Sequence, residues 1–485
     1  MATVVILGAG IAGHTAALHA KRLLGKSHEI VVISPNSKWN WIPSNIWVGV
    51  GKMSANQVTF PLAPIYARKG ITFHQGLAKN IFPEGDSNSG KPFVEISYTD
   101  PTRLGEVARV HYDYLVNATG PKLNFAATQG LGPEGHTASV CTAGHAVDAA
   151  KLLKELIAQM KAGAKKQIAI GVGHGTCTCE GAAFEYTFNV EHELRSAGVR
   201  DMAEIYYITN EYDLGDFGVG GLVFTQGGFQ TTSKLWTESL FRERNIHAIL
   251  GAHVSKVEAG VIHYEQVDGT EGTLRFDFAM LLPPFRGVDL KAFDVTGADI
   301  SDKLFAPSGF MKVDADYSGK PYEEWLAADW PKNYRNPLYQ NIFAVGIAFA
   351  PPHQISKPRK SPKGTVIAPS PPRTGMPSGI MGKLAVLSIK ELIDKGSLAQ
   401  VPTASMADMG AACVASAGSG LRNGSAASMT MYPVVPDFLK YPNTGRSLPD
   451  TFGEIGLSGH WIKLLLHYMF IYKAKARFGW SLIPE

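Results

Sequence analysis

The first apolar run of the chain, Thr3 to Leu7, is rich in β-branched side chains and predicts a buried strand. A helical pattern follows from His14 to Leu24, and a second apolar run, Glu29 to Ile33, closes the unit. Between strand and helix stands a Gly-x-Gly-x-x-Gly pattern: Gly8, Gly10 and Gly13. Glycines at this place leave the amides of the helix N-terminus free for a pyrophosphate. The pattern predicts a dinucleotide-binding βαβ unit.

A second unit of this kind is predicted between Gln167 and Tyr186. Ile168 to Ile170 indicates a buried strand, Gly181 the start of a helix, and the turn between them has three glycines: Gly171, Gly173 and Gly175. A nicotinamide site needs small residues here, because the loop amides approach the pyrophosphate closely. The loop instead holds Cys177, Thr178, Cys179 and Glu180. Two thiols stand where a phosphate would lie, either as reactive groups or as small buried residues.

Further periodic segments extend the α/β pattern along the chain. Strands are predicted over 71–81, 94–98, 110–112, 113–119, 205–209, 279–284 and 341–348, helices over 146–160, 234–245 and 374–392, and a hairpin over 405–414. The aromatic-rich segment 39–50 is predicted to be a loop, either a packed lid or a cover over a cofactor ring. The proline- and lysine-rich segment 351–373 is predicted to be an exposed loop.

These elements predict an α/β fold with two Rossmann-like domains and a C-terminal amphipathic region. We expect four segments: 1–130 and 286–395 as the two parts of the first dinucleotide-binding domain, 131–285 as the second Rossmann-like domain, and 396–485 as the C-terminal region. The length of 485 residues, the 45% hydrophobic content and the 51 glycines agree with such a compact protein.

Charge, cysteine content and the N-terminal segment argue against several classes of protein. The net charge of +4 is small, and no run of Lys and Arg interleaved with aromatics is present, so nucleic acid is not expected as a partner. Four cysteines are too few for a disulfide framework in a chain of this length. The N-terminus has no basic region or small-residue cleavage site, so no signal peptide is expected.

The C-terminal segment is the most apolar part of the chain. Trp461 to Tyr472 is interrupted only by Lys463 and His467, and three cations follow: Lys473, Lys475 and Arg477. It is too short to cross a bilayer and suits a helix that lies in the membrane interface. The alternative is a helix packed on the protein's own core.

Three further residues carry candidate chemistry. Cys141 precedes the helix predicted from residue 146, so the helix dipole should lower its pKa and make it reactive, unless it is a buried structural thiol. His145 is either part of a reactive site with Cys141 or a residue that caps the helix at the protein surface. Glu185, on the helix after the thiols, could shuttle protons from hydrosulfide or a thiol, or be a solvated carboxylate.

Together, these motifs resemble the sulfide:quinone oxidoreductases, nearly end to end. The segments that carry the resemblance are GAGIAG at 8–13, PSNIWVGVG at 43–51, YDYLVNATGPKL at 112–123, VCTAGHA at 140–146, CEGAAFEY at 179–186, NIFAVGIA at 341–348, ADMG at 407–410 and the amphipathic tail. The resemblance implies FAD in the first domain, a sulfur site beside it, hydrogen sulfide as substrate, and a quinone taken from the membrane by a monotopic protein. The resemblance is compatible with a homo-oligomer. It does not assign the protein to one side of the membrane.

The resemblance also assigns site residues. Cys179 matches the first of two sulfur-bridging cysteines, Cys141 a cysteine that assists sulfur release or bonds to the flavin, Glu185 the acidic residue beside the site, and His145 a nearby histidine. The implied FAD-binding residues are Gly8, Gly10, Ala12, Gly13, Ser34, Pro35, Asn45, Ala78, Thr119, Gly120, Gly346 and Gly375.

The sequence departs from the family pattern at two positions. Ser405 stands where the second bridging cysteine is expected, and Asp216 where relatives often have a histidine. Cys413, Cys177 or Cys141 could replace the missing thiol; we favour Cys413, because a Cys-x-Cys disulfide closes a very small ring. Alternative functions are a single-subunit NADH:quinone oxidoreductase, a flavocytochrome c-type sulfide dehydrogenase flavoprotein, and a non-catalytic flavin- and sulfide-binding protein.

Overall fold

The computed structural model describes residues 1–178 and 180–485, so Cys179 lies outside the described residues. The α-helices are α1 (Ile11–Leu24), α2 (Asn45–Gly49), α3 (Ala55–Val58), α4 (Ala63–Lys69), α5 (Ala143–Lys161), α6 (Glu180–Ser196), α7 (Ser233–Glu243), α8 (Ser301–Leu304), α9 (Gly375–Lys395) and α10 (Leu457–Ala474).

The strands fall into several sheets. Those before residue 240 are β1 (Thr3–Leu7), β2 (Glu29–Ser34), β3 (Lys38–Asn40), β4 (Thr59–Pro61), β5 (Thr72–Phe82), β6 (Phe93–Tyr98), β7 (Val107–His111), β8 (Tyr114–Asn117), β9 (Lys122–Leu123), β10 (Lys166–Val172), β11 (Ala203–Ile208), β12 (Val223–Gln226) and β13 (Phe229–Thr232). Those after it are β14 (Ile246–Ile249), β15 (Ala252–Glu258), β16 (Val261–Gln266), β17 (Glu271–Arg275), β18 (Phe278–Leu282), β19 (Phe285–Arg286), β20 (Lys291–Ala292), β21 (Ile342–Ala344), β22 (Arg359–Lys360), β23 (Val366–Ile367), β24 (Ala411–Ala417), β25 (Ser425–Met431) and β26 (Phe452–Gly456).

The largest sheet has the order β21-β8-β1-β2-β5-β6-β7. Its strands are parallel from β21 to β5 and antiparallel beyond. The β1 side chains from Val4 to Leu7 are fully buried, as expected for a parallel strand covered on both faces. α1 packs against α9 so closely that a Cβ on Gly382 would lie 2.3 Å from the Ala12 carbonyl oxygen. The predicted N-terminal dinucleotide-binding unit is confirmed.

A second parallel sheet, β14-β11-β10-β18, forms around the thiol-containing loop. α6 packs against β10, so the second predicted strand, turn and helix are also present. One hydrophobic core continues from the first sheet through the second into the C-terminal region, where it includes Val5, Ile170 and Met429. The fold is therefore the predicted α/β architecture with two Rossmann-type units.

The C-terminal region shares a sheet with the middle of the chain. This sheet has the order β13-β12-β26-β25-β24, and α10 packs on β24 and β25. Among residues 1–178 and 180–485, no helix combines the length and hydropathy needed to cross a membrane.

The structure corrects three local predictions. Residues 39–50 are not a plain loop, because they include the end of β3, a 3₁₀ turn and α2, and Trp39, Trp41 and Trp47 are buried. The hairpin lies at 411–431 rather than 405–414, since β24 pairs with β25. Segment 351–373 is exposed only in part: residues 357–360 and 362–364 are exposed, whereas Ile355, Ile367 and Ala368 are buried.

Candidate active site

The N-terminus of α1 is built to receive a phosphate group. The helix starts after Gly10, without a side-chain cap and without an acidic residue in its first turn. A Cβ on Gly10 would meet no atom within 4 Å, whereas a Cβ on Gly13 would lie 2.0 Å from the Gly8 carbonyl oxygen. Gly8 has a φ of +91°, and a Cβ there would lie 2.2 Å from the Ala118 oxygen. This first glycine loop, residues 8–13, therefore faces open space at a positively polarised helix end, where a pyrophosphate fits.

The N-terminus of α9 lies beside that of α1. It has no side-chain cap bond from Thr374 and no acidic residue in its first turn. A Cβ on Gly375 would lie 3.3 Å from Cδ1 of Ile11, and a Cβ on Gly346 would lie 2.9 Å from that of Ala12. Gly120, like Gly10, has nothing within 4 Å of a Cβ position. The glycines predicted to bind FAD thus gather at one cleft with two uncapped helix ends, and this cleft fits the cofactor.

Some of the other predicted cofactor residues lie at the edge of the same sheet. Ser34 ends β2, and its Oγ accepts a hydrogen bond of 3.4 Å from the amide of Asn36, with Pro35 between them. Thr119 follows β8 and donates to Asn117 Oδ1 at 2.8 Å. Both strands end at the carboxyl edge, where dinucleotides bind in such folds.

Asn45 and Ala78 are placed differently. The buried Asn45 amide donates to the Val140 carbonyl at 3.2 Å, so it holds α2 against the segment that leads to Cys141. Ala78 lies in β5, three residues beyond Gln75, which pairs with Ser34. Asn45 therefore has a structural hydrogen bond that the sequence did not indicate.

The side chain of Cys413, a residue of β24, lies against the start of α6. Its Sγ would be 2.9 Å from a Cβ on Gly181, which stands two residues after Cys179 in the sequence. Cys413 is a free thiol on β24, and burial raises its pKa to about 12, with a further rise from the nearby charge of Glu185. Cys179 itself lies outside the described residues. The hairpin position of Cys413 thus brings a thiol to the part of the loop where the family pattern needs one.

Cys141 and Cys177 form a second group of thiols. Cys177 is fully buried, donates its Sγ hydrogen to the Leu282 carbonyl at 3.1 Å, and is close enough to Cys141 for their charges to interact. The prediction that the helix dipole lowers the pKa of Cys141 is wrong. Burial raises that pKa to about 11, because desolvation of the thiolate outweighs its hydrogen bond with Ser139.

Glu185 is the centre of a buried polar network. It lies in the second turn of α6 and forms an ion pair with Lys463 of α10, with 2.9 Å between Oε2 and Nζ. Its Oε1 accepts from the Ser416 hydroxyl at 2.7 Å and from the Ser416 amide at 3.1 Å. Since Ser416 is on β24, Glu185 links the strand that carries Cys413 to the C-terminal helix. Glu185 is thus not a solvated carboxylate.

His145, Ser405 and Asp216 differ in their environments. His145 is half-buried in the first turn of α5, and burial lowers its pKa. Ser405 is buried in a turn before β24, where its Oγ accepts from the amide of Ala407 at 3.2 Å. Ser405 therefore completes a turn in the place of the expected cysteine. Burial raises the pKa of Asp216, which accepts from the Gly218 amide at 2.9 Å.

The second glycine loop, residues 171–175, is filled by the protein itself. A Cβ on Gly173 would lie 2.5 Å from Leu131, and a Cβ on Gly175 would lie 2.7 Å from the Val366 oxygen. The segment 366–371 runs along this loop: Ala368 N donates to Gly175 O, and Ser370 N donates to Cys177 O, both at 2.8 Å. This segment covers the place where a nicotinamide dinucleotide would lie.

Glu211 is the acidic residue that could have held a nucleotide ribose. It is buried, and its carboxylate accepts from Thr209 Oγ1 and from the Phe217 amide, each at 2.8 Å. Burial raises its pKa to about 7. Because these internal bonds occupy the carboxylate, it is not free for a ribose.

A cavity of about 510 Å³ opens beside α10. Its walls include Met53, Leu421, Trp461, Leu464 and Tyr468, and Lys52 lies at its polar side. α10 contributes apolar residues to this wall and Lys463 to the buried ion pair with Glu185. One helix thus borders both the cavity and the network behind Cys413.

Comparison with known proteins agrees with this architecture. Residues 2–213 match the family described as pyridine nucleotide-disulphide oxidoreductase, which defines the class of flavoprotein to which the fold and glycine loops point. The chain is 31% identical over 373 residues to the sulfide-quinone reductase of Aquifex aeolicus (strain VF5), which covers 77% of this chain and 72% of that protein. The chain therefore belongs to the sulfide-quinone reductase family, and it is an FAD-containing oxidoreductase.

Solved structures show the same relationship. The crystal structure of the sulfide:quinone oxidoreductase from Aquifex aeolicus superposes with a TM-score of 0.74 at 26% identity, over 98% of this chain and 92% of that one. NDH2 from Plasmodium falciparum, solved with NADH, has a TM-score of 0.62 at 14% identity, over 99% and 97% of the two chains. The latter likeness shows a shared fold alone.

Sequence reasoning missed two features of the site. In the sequence, Lys463 is a single cation that interrupts an apolar segment. A single cation on the buried side of such a helix indicates a buried anionic partner, and this signal could have identified the pair with Glu185. The covering segment 366–371 carries no motif of its own. Its contacts with residues 175–177 are long-range main-chain hydrogen bonds, and the sequence contains no local signal for them.

Proposed function

We propose that this protein oxidises hydrogen sulfide at a thiol pair, Cys179 and Cys413, and passes the electrons through FAD to a membrane quinone. The observation that carries the proposal is the position of the Cys413 Sγ against Gly181, at the start of the helix that follows Cys179. Membership of the sulfide-quinone reductase family supports the substrates. Bound FAD would supply a two-electron acceptor next to the thiols.

The chemistry needs a disulfide between the two cysteines. Hydrosulfide attacks one sulfur, the S–S bond breaks, and the products are a persulfide on one cysteine and a thiolate on the other. Loss of two electrons from the persulfide and the thiolate, which bound FAD would accept, restores an oxidised sulfur bridge, and one proton leaves for each hydrosulfide oxidised to sulfur. Since burial disfavours a free Cys413 thiolate, the thiolate form is a high-energy donor in this environment.

The cavity beside α10 is the proposed quinone site. Its apolar wall suits a lipid-soluble ring, and its opening lies among exposed apolar side chains. The exposed set on and near α10 is Leu421, Trp461, Leu465, Tyr468, Phe478 and Leu482. A helix with such residues on one face can lie in the membrane interface and bring the cavity to the quinone pool.

An anaerobic titration tests the sulfur site. Sulfide should bleach the flavin absorbance of the wild type, and a short-chain quinone should restore it. Cys413→Ser should abolish bleaching by sulfide while FAD remains bound, and Cys177→Ser is the matched control that should retain it. If Cys413→Ser is reduced normally and Cys177→Ser is not, the second thiol is Cys177 and the proposed pair is wrong.

The same titration with NADH tests the principal rival. Because segment 366–371 covers the second glycine loop, NADH should leave the flavin oxidised under conditions in which sulfide bleaches it. Bleaching by NADH alone would replace the proposal by an NADH:quinone oxidoreductase. Bleaching by neither reductant would indicate a non-catalytic binder.

Membrane association is tested by sedimentation with vesicles of phosphatidylcholine and phosphatidylglycerol. Leu465→Asp should weaken binding, because it places a charge on the exposed apolar face of α10. Leu104→Asp, at an equally exposed apolar residue far from α10 in sequence, is the control and should bind like the wild type. Equal sedimentation of both variants would contradict the role of α10.

A further inference from the structure

Glu180, the first residue of α6, is an unpaired buried acid. Its side chain is 0% exposed, and its carboxyl oxygens form no well-aligned hydrogen bond among the described residues. The Asn210 amide, which donates to the carbonyl oxygens of Gly175 and Cys177 at 3.2 Å, lies beside it. Burial of a carboxyl group without partners costs free energy, and native proteins rarely retain one without a role. It follows directly on Cys179 in the sequence.

Several ionisable groups surround Glu180. Glu211 and Asp216 face it with like charge, Cys177 lies within range of its charge, and the Tyr207 hydroxyl donates to its main-chain oxygen at 3.2 Å. No group of three His, Cys, Asp or Glu side chains within residues 1–178 and 180–485 is arranged to hold a metal. Burial, and next the charge of Glu211, raises the pKa of Glu180 well above its ordinary value. Once formed, its carboxylate is therefore an unusually strong base.

Asp216 is a partly exposed carboxyl group near Glu180. Oε2 of Glu180 would lie 3.4 Å from a Cβ on Gly218, whose amide donates to Asp216 Oδ1 at 2.9 Å. Asp216 is bonded to the Ser356 hydroxyl, and Ser356 Oγ accepts from the amide of Gly220 at 3.0 Å. Gly220 is exposed. Asp216 thus lies between the start of α6 and the exposed turn at Gly220.

We infer that Glu180 accepts the proton released when hydrosulfide is oxidised at Cys179, and that Asp216 passes it to solvent. The inference rests on the proposed function. Oxidation of HS⁻ to the sulfur level yields two electrons, which go to FAD, and one proton, which needs a base within the closed site. In the carboxylate form Glu180 takes this proton, and it returns to that form when Asp216 takes the proton onward.

Stopped-flow flavin reduction across a pH series tests the inference. In the wild type, the rate of reduction by sulfide should rise with pH as Glu180 ionises. Glu180→Gln should lower this rate by at least tenfold and remove the ionisation of Glu180 from the pH profile. Glu180→Asp should restore part of the rate and of its pH dependence. Reoxidation of the reduced flavin by quinone should be unchanged, because it does not use the proton path.

Glu211→Gln is the matched control, since Glu211 is also a buried carboxyl group of this cluster but has hydrogen-bond partners within the protein. This variant should keep the ionisation of Glu180 in the pH profile of reduction by sulfide, moved to lower pH because the charge of Glu211 no longer raises the pKa of Glu180. If Glu180→Gln keeps the wild-type rate and pH profile, or if both variants lose the ionisation equally, the assigned role of Glu180 is wrong. Failure of sulfide to bleach the wild type would instead overturn the proposed function, and with it this role.

Discussion

The two glycine loops of this protein have the same local design and opposite surroundings. In the first, residues 8–13, a Cβ on Gly10 would project into open space at the N-terminus of α1. In the second, residues 171–175, a Cβ on Gly173 would strike Leu131, and segment 366–371 bonds along the loop. A strand, glycine turn and helix therefore do not by themselves make a nucleotide site, because the rest of the chain decides whether the space stays free.

The second loop shows what takes the place of the nucleotide. Cys177 and the buried acid Glu180 lie at its helix start, and Cys413 reaches it from a strand more than two hundred residues away in the sequence. Glu211, the acidic residue that could have held a nucleotide ribose, now has hydrogen-bond partners within the protein. The same fold thus presents a cofactor cleft at one helix end and a candidate sulfur site at the other.

The largest effect is expected from changes in the first glycine loop. Gly13→Val should abolish FAD binding, because its Cβ would lie 2.0 Å from the Gly8 oxygen and the loop would have to open. Gly10→Ala should fold normally but bind FAD about 30-fold more weakly. This corresponds to a loss of ~2 kcal/mol of binding free energy, because the added methyl group would displace the pyrophosphate from its hydrogen bonds with the loop amides. Flavin content and the Kd for FAD measure both effects.

The matched change in the second loop sharpens the contrast. Gly173→Ala places a Cβ 2.5 Å from Leu131, so it should lower stability and leave the Kd for FAD unchanged. If Gly173→Ala weakens FAD binding as much as Gly10→Ala does, the two loops do not have the separate roles described above.

The next largest effect is expected at the ion pair behind the second loop. Lys463→Met leaves Glu185 buried without its cation and should lower the free energy of unfolding by about 3–5 kcal/mol, measured by chemical denaturation. The double variant Glu185→Gln, Lys463→Met should recover most of this loss. Lys151→Met, which removes an exposed pair with Asp148, should have no measurable effect. An equal loss in the single and double variants would show that packing of the lysine, not its charge, is what matters.

The sequence predicted much of this contrast but not its physical cause. Short-range patterns located both loops, since strand alternation, glycine spacing and helix starts are local signals. The cover over the second loop and the Glu185–Lys463 pair depend on residues 190–280 positions apart, which no local pattern records. The predicted low pKa of Cys141 was wrong because burial of the thiol raises its pKa, and burial depends on tertiary packing that no local pattern records.

The smallest expected effect concerns the pH dependence of stability at Glu211. Its pKa is raised from 4.5 to about 7 in the folded protein, so its contribution to stability is fully present below pH 4.5 and is lost as the pH rises to about 7. Glu211→Gln removes this titration. Between pH 5 and pH 8 the free energy of unfolding of the wild type should therefore fall relative to the variant, by at most ~3 kcal/mol. Urea denaturation of both proteins across this range measures the difference, and parallel curves would mean that Glu211 keeps an ordinary pKa. In that case the acid would be solvated, and the second loop would be more open to a nucleotide ribose than its hydrogen bonds indicate.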